Sequence, residues 1–179
     1  MQTLCVVAYP ELAPADRDWI EGLRRRHDPN YRLVDAHLTL VFPFAGLEPE
    51  ALAGHVGAVA AAGAPFAIAL RCALIVRDAL SELTHLFLVP DAGFSRVVLL
   101  HDALYRGVLA SRLRLDVPYI PHITVGAFAD PQAAREAADE INRAGPDIAG
   151  TVARLSVVAV ESPRVRPLRE IALGLANDE

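Results

Sequence analysis

Hydrophobic and polar positions recur with two alternating periods along the chain, and the switches between them mark out its elements. Residues 3–9, "TLCVVAY", are a run of apolar β-formers and predict a first strand. From Pro14 the spacing becomes helical through "PADRDWIEGLRRRH", behind a proline suited to a helix's first turn, and "DPN" at 28–30 ends it. A strand at 37–42 stops at Pro43. "EPEALAGHVGAVAAA" (48–62) predicts a helix, "PFAIALRCALIVRD" (65–78) a strand and "THLFLVP" (84–90) another. The order then recurs: a helix over "GFSRVVLLHDALYRGVLA" (93–110), a strand at 121–128, a helix over "DPQAAREAADEINRA" (130–144), one strand over "IAGTVARLSVVAVES" (148–162) and a last strand over "REIALGL" (169–175).

A fixed offset of 85 positions lays the second set of elements on the first. His37 falls on His122, Thr39 on Thr124, Leu70 on Leu155, and Leu86 and Leu88 on Ile171 and Leu173. Any regular chain of helices and strands offers some offset at which elements coincide, but here the same polar pattern lands on it too. The pattern therefore predicts a duplicated unit of helix, motif strand, helix, strand, strand, over roughly residues 10–90 and 91–175. The expected fold is α+β: one bilobal domain over 1–179, of two pseudo-symmetric lobes enclosing a central cleft, each a mainly antiparallel sheet with helices on its outer face.

Composition narrows what such a cleft holds. With 53% hydrophobic and 22% charged residues among 179, the chain has the material for a sizeable core. Its net charge of −5 gives no electrostatic basis for gripping long duplex nucleic acid, so a small molecule or the end of a larger one is the expected ligand. Cys5 and Cys72 are too few for a disulfide framework and lack metal-ligand spacing, and the first residues show no signal-peptide pattern. The most apolar stretch, 56–70, is interrupted by Pro65 and glycines, so no membrane span is expected and a cytoplasmic location is.

The chemistry lies in "HLTL" at 37–40 and "HITV" at 122–125. Residues i and i+2 of a strand share a face, so His37 with Thr39, and His122 with Thr124, point one way while Leu38, Leu40, Ile123 and Val125 point into the core. If the two strands face each other, two imidazoles and two hydroxyls converge. That set suits displacement at phosphorus: one imidazole takes a proton from the attacking oxygen, the other gives one to the leaving oxygen, and the hydroxyls hold the non-bridging oxygens. It calls for neither a metal nor any other cofactor. Phe42 and Phe44 offer faces for stacking a base, and Tyr119 a hydroxyl for a ligand, each beside a plain structural reading of the same ring. His85, on a strand flanking the first motif, is within reach of the cleft, although a structural imidazole is the commoner outcome. His27, His55 and His101 read as surface or boundary residues, and Arg164, Arg166 and Arg169 as a cluster in a hairpin loop.

The paired motifs, at this spacing, resemble the signature of the 2H phosphoesterase superfamily, whose members include 2′-5′ RNA ligases and 2′,3′-cyclic nucleotide phosphodiesterases. "PHITVG" and "REIALG" resemble the family's second motif and closing strand. The resemblance implies a LigT-like bilobal fold and puts His37, Thr39, His122 and Thr124 on the four catalytic positions. It implies a monomeric, metal-independent enzyme acting on a small nucleotide or an RNA end. Where some RNA-handling members carry Arg or Lys after the second motif, this chain has Gly126, Ala127 and Phe128, which argues against long RNA. The reactions in view are opening of a 2′,3′-cyclic or related phosphate and its reverse, ligation of RNA ends. A nucleotide-binding module without turnover and a zinc hydrolase are the other classes weighed. Two complete His/Thr pairs speak against the first, and the want of a third nearby ligand against the second.

Overall fold

The computed structural model describes residues 2–78, 81–161 and 164–174. In chain order the elements are β1 (Thr3–Ala8), β2 (Glu11–Leu12), α1 (Pro14–His27), β3 (Leu38–Phe44), α2 (Pro49–Ala61), β4 (Phe66–Arg77), β5 (Thr84–Ala92), α3 (Phe94–Leu104), a 3₁₀ turn (Gly107–Arg112), β6 (Ile123–Phe128), α4 (Pro131–Ala144), β7 (Ile148–Val152), β8 (Arg154–Glu161) and β9 (Arg164–Ala172). Helix limits follow local chemistry. α1 opens on Pro14 with Asp16 in its first turn and closes on Arg24, Arg25, Arg26 and His27, charges that oppose the helix dipole at both ends. α4 is capped by the Asp130 carboxylate, which accepts from the Gln132 N–H, and ends at Gly145 in the left-handed region.

The strands form two sheets, in the orders β3-β1-β8-β9 and β2-β7-β4-β5-β6, and every pairing is antiparallel. This is the expected α+β class. Alternate strand residues, among them Leu4, Val6, Leu38, Leu40, Leu86, Leu88, Ile123, Val125, Leu155 and Val157, join Ile20, Leu52, Val56, Val97, Leu104 and Ile141 of the helices in one contiguous core. The opposite face of the first sheet carries a smaller apolar cluster of Cys5, Val7 and Val158. The motif strands β3 and β6 each end a sheet, and each is flanked by a central strand in equivalent register: Val7 of β1 faces Thr39, and Phe87 of β5 faces Thr124.

Sheet membership crosses between the halves of the sequence. β4 from the first half pairs with β5 in the sheet of the second motif, while β8 from the second half pairs with β1 in the sheet of the first. The strand that corresponds to β1 is thus β5, which precedes the second motif, so the structural unit runs strand, helix, motif strand, helix, strand. The single 85-residue offset does not show this, because Val7 and Phe87 are 80 positions apart.

Three other local expectations are corrected. The helix expected over 93–110 stops at Leu104, and the remainder is a separate 3₁₀ turn entered at Gly107, whose φ of 53° breaks the helical path. The strand expected over 148–162 is two strands in different sheets, changing partner at Ala153. Apolar alternation is the same whichever sheet a strand joins, so periodicity is blind to that change. Arg164, Arg166 and Arg169 lie on β9 rather than in a loop, and Arg166 pairs with Glu161 at 2.8 Å. The expected hairpin residues 162–163 and the expected strand end at Leu175 lie outside the described residues. Among the described residues, no helix is long and apolar enough to cross a membrane.

Candidate functional site

The strand alternation that buries Leu38, Leu40, Ile123 and Val125 leaves the histidines and threonines of both motifs half-buried on the other face. Both imidazoles are fixed in the same way. Nδ1 of His37 donates to the Asp35 carbonyl at 2.7 Å, and Nδ1 of His122 donates to the Ile120 carbonyl at 2.6 Å. Each donor is spent two residues back, so both rings take the tautomer that leaves Nε2 as the lone-pair nitrogen. Each ring also packs on an aromatic beside the flanking central strand. Tyr9, just past β1, meets His37 edge-on at 6.1 Å, and Phe87 on β5 stacks on His122 at 3.5 Å with planes 13° apart.

Two adjoining hollows meet at these residues. One, of about 330 Å³, is lined by His37, Thr39, Thr124 and His85, with Cys5, Val7, Val158 and Val165 as an aliphatic wall and Arg24, Asp28 and Asn30 as a polar one. The other, of about 340 Å³, is lined by His122, Thr124, His85, Phe87, Phe42 and Ile120, with Arg77 and Asp78 at its side. Thr124 and His85 line both. A larger hollow of about 500 Å³ between α2 and α3 lies apart from the motifs, and the histidine there, His55, is turned to the Leu104 carbonyl at 2.8 Å.

Burial sets the electrostatics. Withdrawal from water lowers the pKa of His37 below the ordinary imidazole value, and that of His122 to about 4, where the neighbouring His37 and His85 add to the effect. The Cys5 thiol in the aliphatic wall is pushed up to about 12 by burial, so it is no nucleophile at neutral pH. Arg24 is buried and saturated: it bonds Glu21 at 2.8 Å, Asp28 at 3.0 Å and the Val34 carbonyl at 2.7 Å. Glu21 in turn accepts from the Ala36 N–H at 2.8 Å, so this ion triad pins the loop that carries the carbonyl of Asp35 to His37. Among the described residues, no group of three or more His, Cys, Asp or Glu side chains is placed to hold a metal ion.

The other sequence candidates separate. Phe42 lines the hollow that contains His122, whereas Phe44 lies off both hollows, under the guanidinium of Arg112 at 4.8 Å. Tyr119 is not positioned to offer its hydroxyl to a ligand: the hydroxyl donates to the Thr39 carbonyl at 2.9 Å, and the ring stacks on His101 at 3.5 Å. His101, expected at the surface or a boundary, is 3% exposed and donates to the Leu40 carbonyl at 2.8 Å. The Tyr105 hydroxyl accepts from the Phe42 N–H at 3.0 Å. These side chains hold the backbone of β3, an outermost strand. Periodicity shows a residue's face, not such cross-chain partners, and no motif marked them. His85 reaches both hollows and was the minority expectation at that position. At Gly126 an added Cβ would meet the Phe128 ring at 2.7 Å and Cβ of His27 at 3.0 Å, so packing alone denies a basic side chain there.

A Geobacillus kaustophilus protein and a Bacillus licheniformis protein, both described as phosphoesterases, are 28% identical over 112 residues and 25% over 111. These matches span 61% and 62% of the relatives' own length. The crystal structure of E. coli LigT superposes with a TM-score of 0.59 at 23% identity, covering 97% of this chain and 98% of that one. TT0787 of Thermus thermophilus does so with 0.60 at 18% identity, covering 98% and 100%. These likenesses are of fold. The sequence itself carries the relationship further, for residues 10–164, which take in both His-x-Thr strands and the elements between them, match the family model, and the chain belongs to the 2′-5′ RNA ligase superfamily.

Proposed function

We propose that the protein is a metal-independent phosphodiesterase that opens a 2′,3′-cyclic phosphate, or a related small cyclic nucleotide phosphate, by paired-imidazole acid/base catalysis. The observation that carries this reading is the matched fixation of the two rings. His37 and His122 each spend Nδ1 on the carbonyl two residues back, and each has a threonine two residues on along the same strand face.

In this mechanism one neutral imidazole accepts a proton through Nε2 from a water whose oxygen attacks phosphorus. The other, protonated, gives its Nε2 proton to the departing 2′ or 3′ oxygen as the P–O bond breaks. Thr39 and Thr124 donate to the non-bridging oxygens, whose charge is then met by fixed dipoles rather than by water that must reorganise. His122 begins largely neutral, and an incoming phosphate anion favours the imidazolium that the reaction needs. Phe42, beside His122, stacks a base or covers the site from water. Both motifs come from one chain, and the active species is proposed to be the monomer, in the cytoplasm. Solved complexes of LigT with 3′-AMP and with ATP support a small nucleotide as the ligand class here.

The test is turnover of 2′,3′-cyclic mononucleotides with and without EDTA, alongside an RNA pair bearing 2′,3′-cyclic phosphate and 5′-hydroxyl ends. Hydrolysis that survives the chelator supports the proposal. Joining of the RNA ends without mononucleotide hydrolysis would favour the ligase reading that the superfamily's name suggests. Activity lost on chelation and restored by zinc would overturn it.

A further inference from the structure

The cleft holds more positive-charge capacity than the two motif histidines, and it is placed where they meet. His85 lines both hollows, as only Thr124 does besides it among the described lining residues. It lies on β5 two residues before Phe87, the ring on which His122 stacks, and its Nε2 is 3.5 Å from Oδ2 of Asp78. With Nε2 turned to that carboxylate, Nδ1 is the ring nitrogen left for a ligand.

The surrounding charges show why this matters. Arg24, across the first hollow, is committed to Glu21 and Asp28, a triad of formal charge −1 in which Arg24 and Asp28 are buried and Glu21 is partly exposed. Arg77, beside the second, is more than half exposed and paired with Glu82 at 2.7 Å, where solvent weakens its reach. His37 and His122 are both disposed to neutrality by burial. A phosphoester entering this cleft carries at least one negative charge, and apart from the imidazole that gives up its proton in the reaction, the polarity so far assigned to meet it is that of two hydroxyls.

We infer that His85 is a third imidazole of the ligand-binding set: as the imidazolium, with Nε2 towards Asp78, it supplies the cation that meets a phosphate oxyanion beside Thr39 and Thr124. The inference rests on the reading of the cleft as a phosphoester site and adds to it the group that recognises the charge. His85 takes no part in proton transfer. Its charge serves the substrate anion and, more strongly, the doubly charged monoester product.

The groups that face it are Asp78 and Arg77 at the end of β4, His122 ahead of β6, His37 ahead of β3, and Arg24 and Asp28 of the α1 end. An anion in the cleft favours the imidazolium forms of the rings that face it. Anion binding should therefore weaken as pH rises through the imidazole range.

Inorganic sulfate is a suitable probe, because its own charge does not change between about pH 5 and 8. Sulfate is titrated into the full chain while the ring resonances of His37, His85 and His122 are followed by NMR, and the same is done with His85→Gln. The expected result is that sulfate moves all three rings, that affinity falls as pH rises, and that His85→Gln weakens binding at low pH by about tenfold and makes the fall with pH less steep. If His85→Gln does not fold, Asp78→Asn replaces it and should also weaken sulfate binding. Sulfate that moves His37 and His122 with unchanged affinity in the variant overturns the role of His85 alone. Sulfate that moves none of the three overturns the phosphoester reading as well.

Discussion

The residues of the two motifs differ in what their removal takes away, and that orders their expected effects. On the proposed mechanism, His37→Ala or His122→Ala deletes a proton-transfer partner and should slow turnover of a 2′,3′-cyclic mononucleotide by about 10²–10⁴-fold. Thr39→Val or Thr124→Val removes one oxyanion donor at nearly constant volume and should cost less than the histidine change on the same strand. If the imidazoles act in one concerted step, the double histidine variant should be little slower than the slower single one. Near-normal turnover by folded His122→Ala would mean that the repeated motif is architectural. The pH profile follows from the direction of the two shifts. A base must be neutral and an acid protonated, so kcat/KM should be bell-shaped, and because burial lowers both imidazoles in the free protein, its maximum should lie on the acid side of about 6.5. Bound phosphate raises both, so the profile of kcat should sit at higher pH than that of kcat/KM. Coincident profiles centred above neutrality would contradict this account of the site.

At the scale of elements, the site depends on struts that bind one motif to the other. The Tyr119 hydroxyl, three residues ahead of His122, holds the carbonyl of Thr39, and it does so from a ring stacked on His101, which holds the next carbonyl, that of Leu40. Tyr119→Phe leaves the Thr39 carbonyl without this donor and should cost about 1–3 kcal/mol in urea unfolding. Because the bond ties the segment just ahead of His122 to the strand that carries Thr39, kcat should fall as well, by about tenfold, with KM changed much less. A stability loss with kcat intact would show the tyrosine to be a fold element only. These struts also mark where the sequence stopped being legible. Helical periodicity located α1, α2 and α4, with Pro14 marking the start of α1, and period-two alternation found the strands and put His37, Thr39, His122 and Thr124 on a common kind of face, because both signals are local. The division of 148–161 between two sheets, the crossing of β4 and β8, and the hydrogen bonds of His101, Tyr105 and Tyr119 are contacts between distant segments. Such contacts leave no periodicity to read. His85 was half-visible: its strand, expected to flank the first motif, flanks the second, and a lone imidazole on a strand does not announce a cleft.

For the whole molecule, holding uncharged imidazoles in and around the cleft has a consequence for stability. His37, His122, His101 and His27 all have their pKa lowered in the folded chain, with burial as the leading cause, while an unfolded chain returns them to about 6.5. Between that value and the folded one, the unfolded state binds more protons, so stability rises with pH across the interval. The contribution is complete above about 6.5 and is lost as pH falls towards about 4, the value of His122. Thermal unfolding followed at pH 7.5, 6.0 and 4.5 should show a falling Tm, and His122→Gln, which has no proton to take up, should flatten the decline. An anion that binds the cleft opposes the loss, since it favours the imidazolium forms in the folded state alone. Phosphate or sulfate should therefore raise Tm more at pH 5.5 than at pH 7.5, with stabilisation of about 2.7 kcal/mol once its concentration reaches about 100 times Kd. Equal protection at both pH values would mean that the bound anion does not draw protons onto these rings. The proposed mechanism would then lack the coupling between phosphate and imidazole by which one of the two rings, both lowered in the free protein, gains its proton.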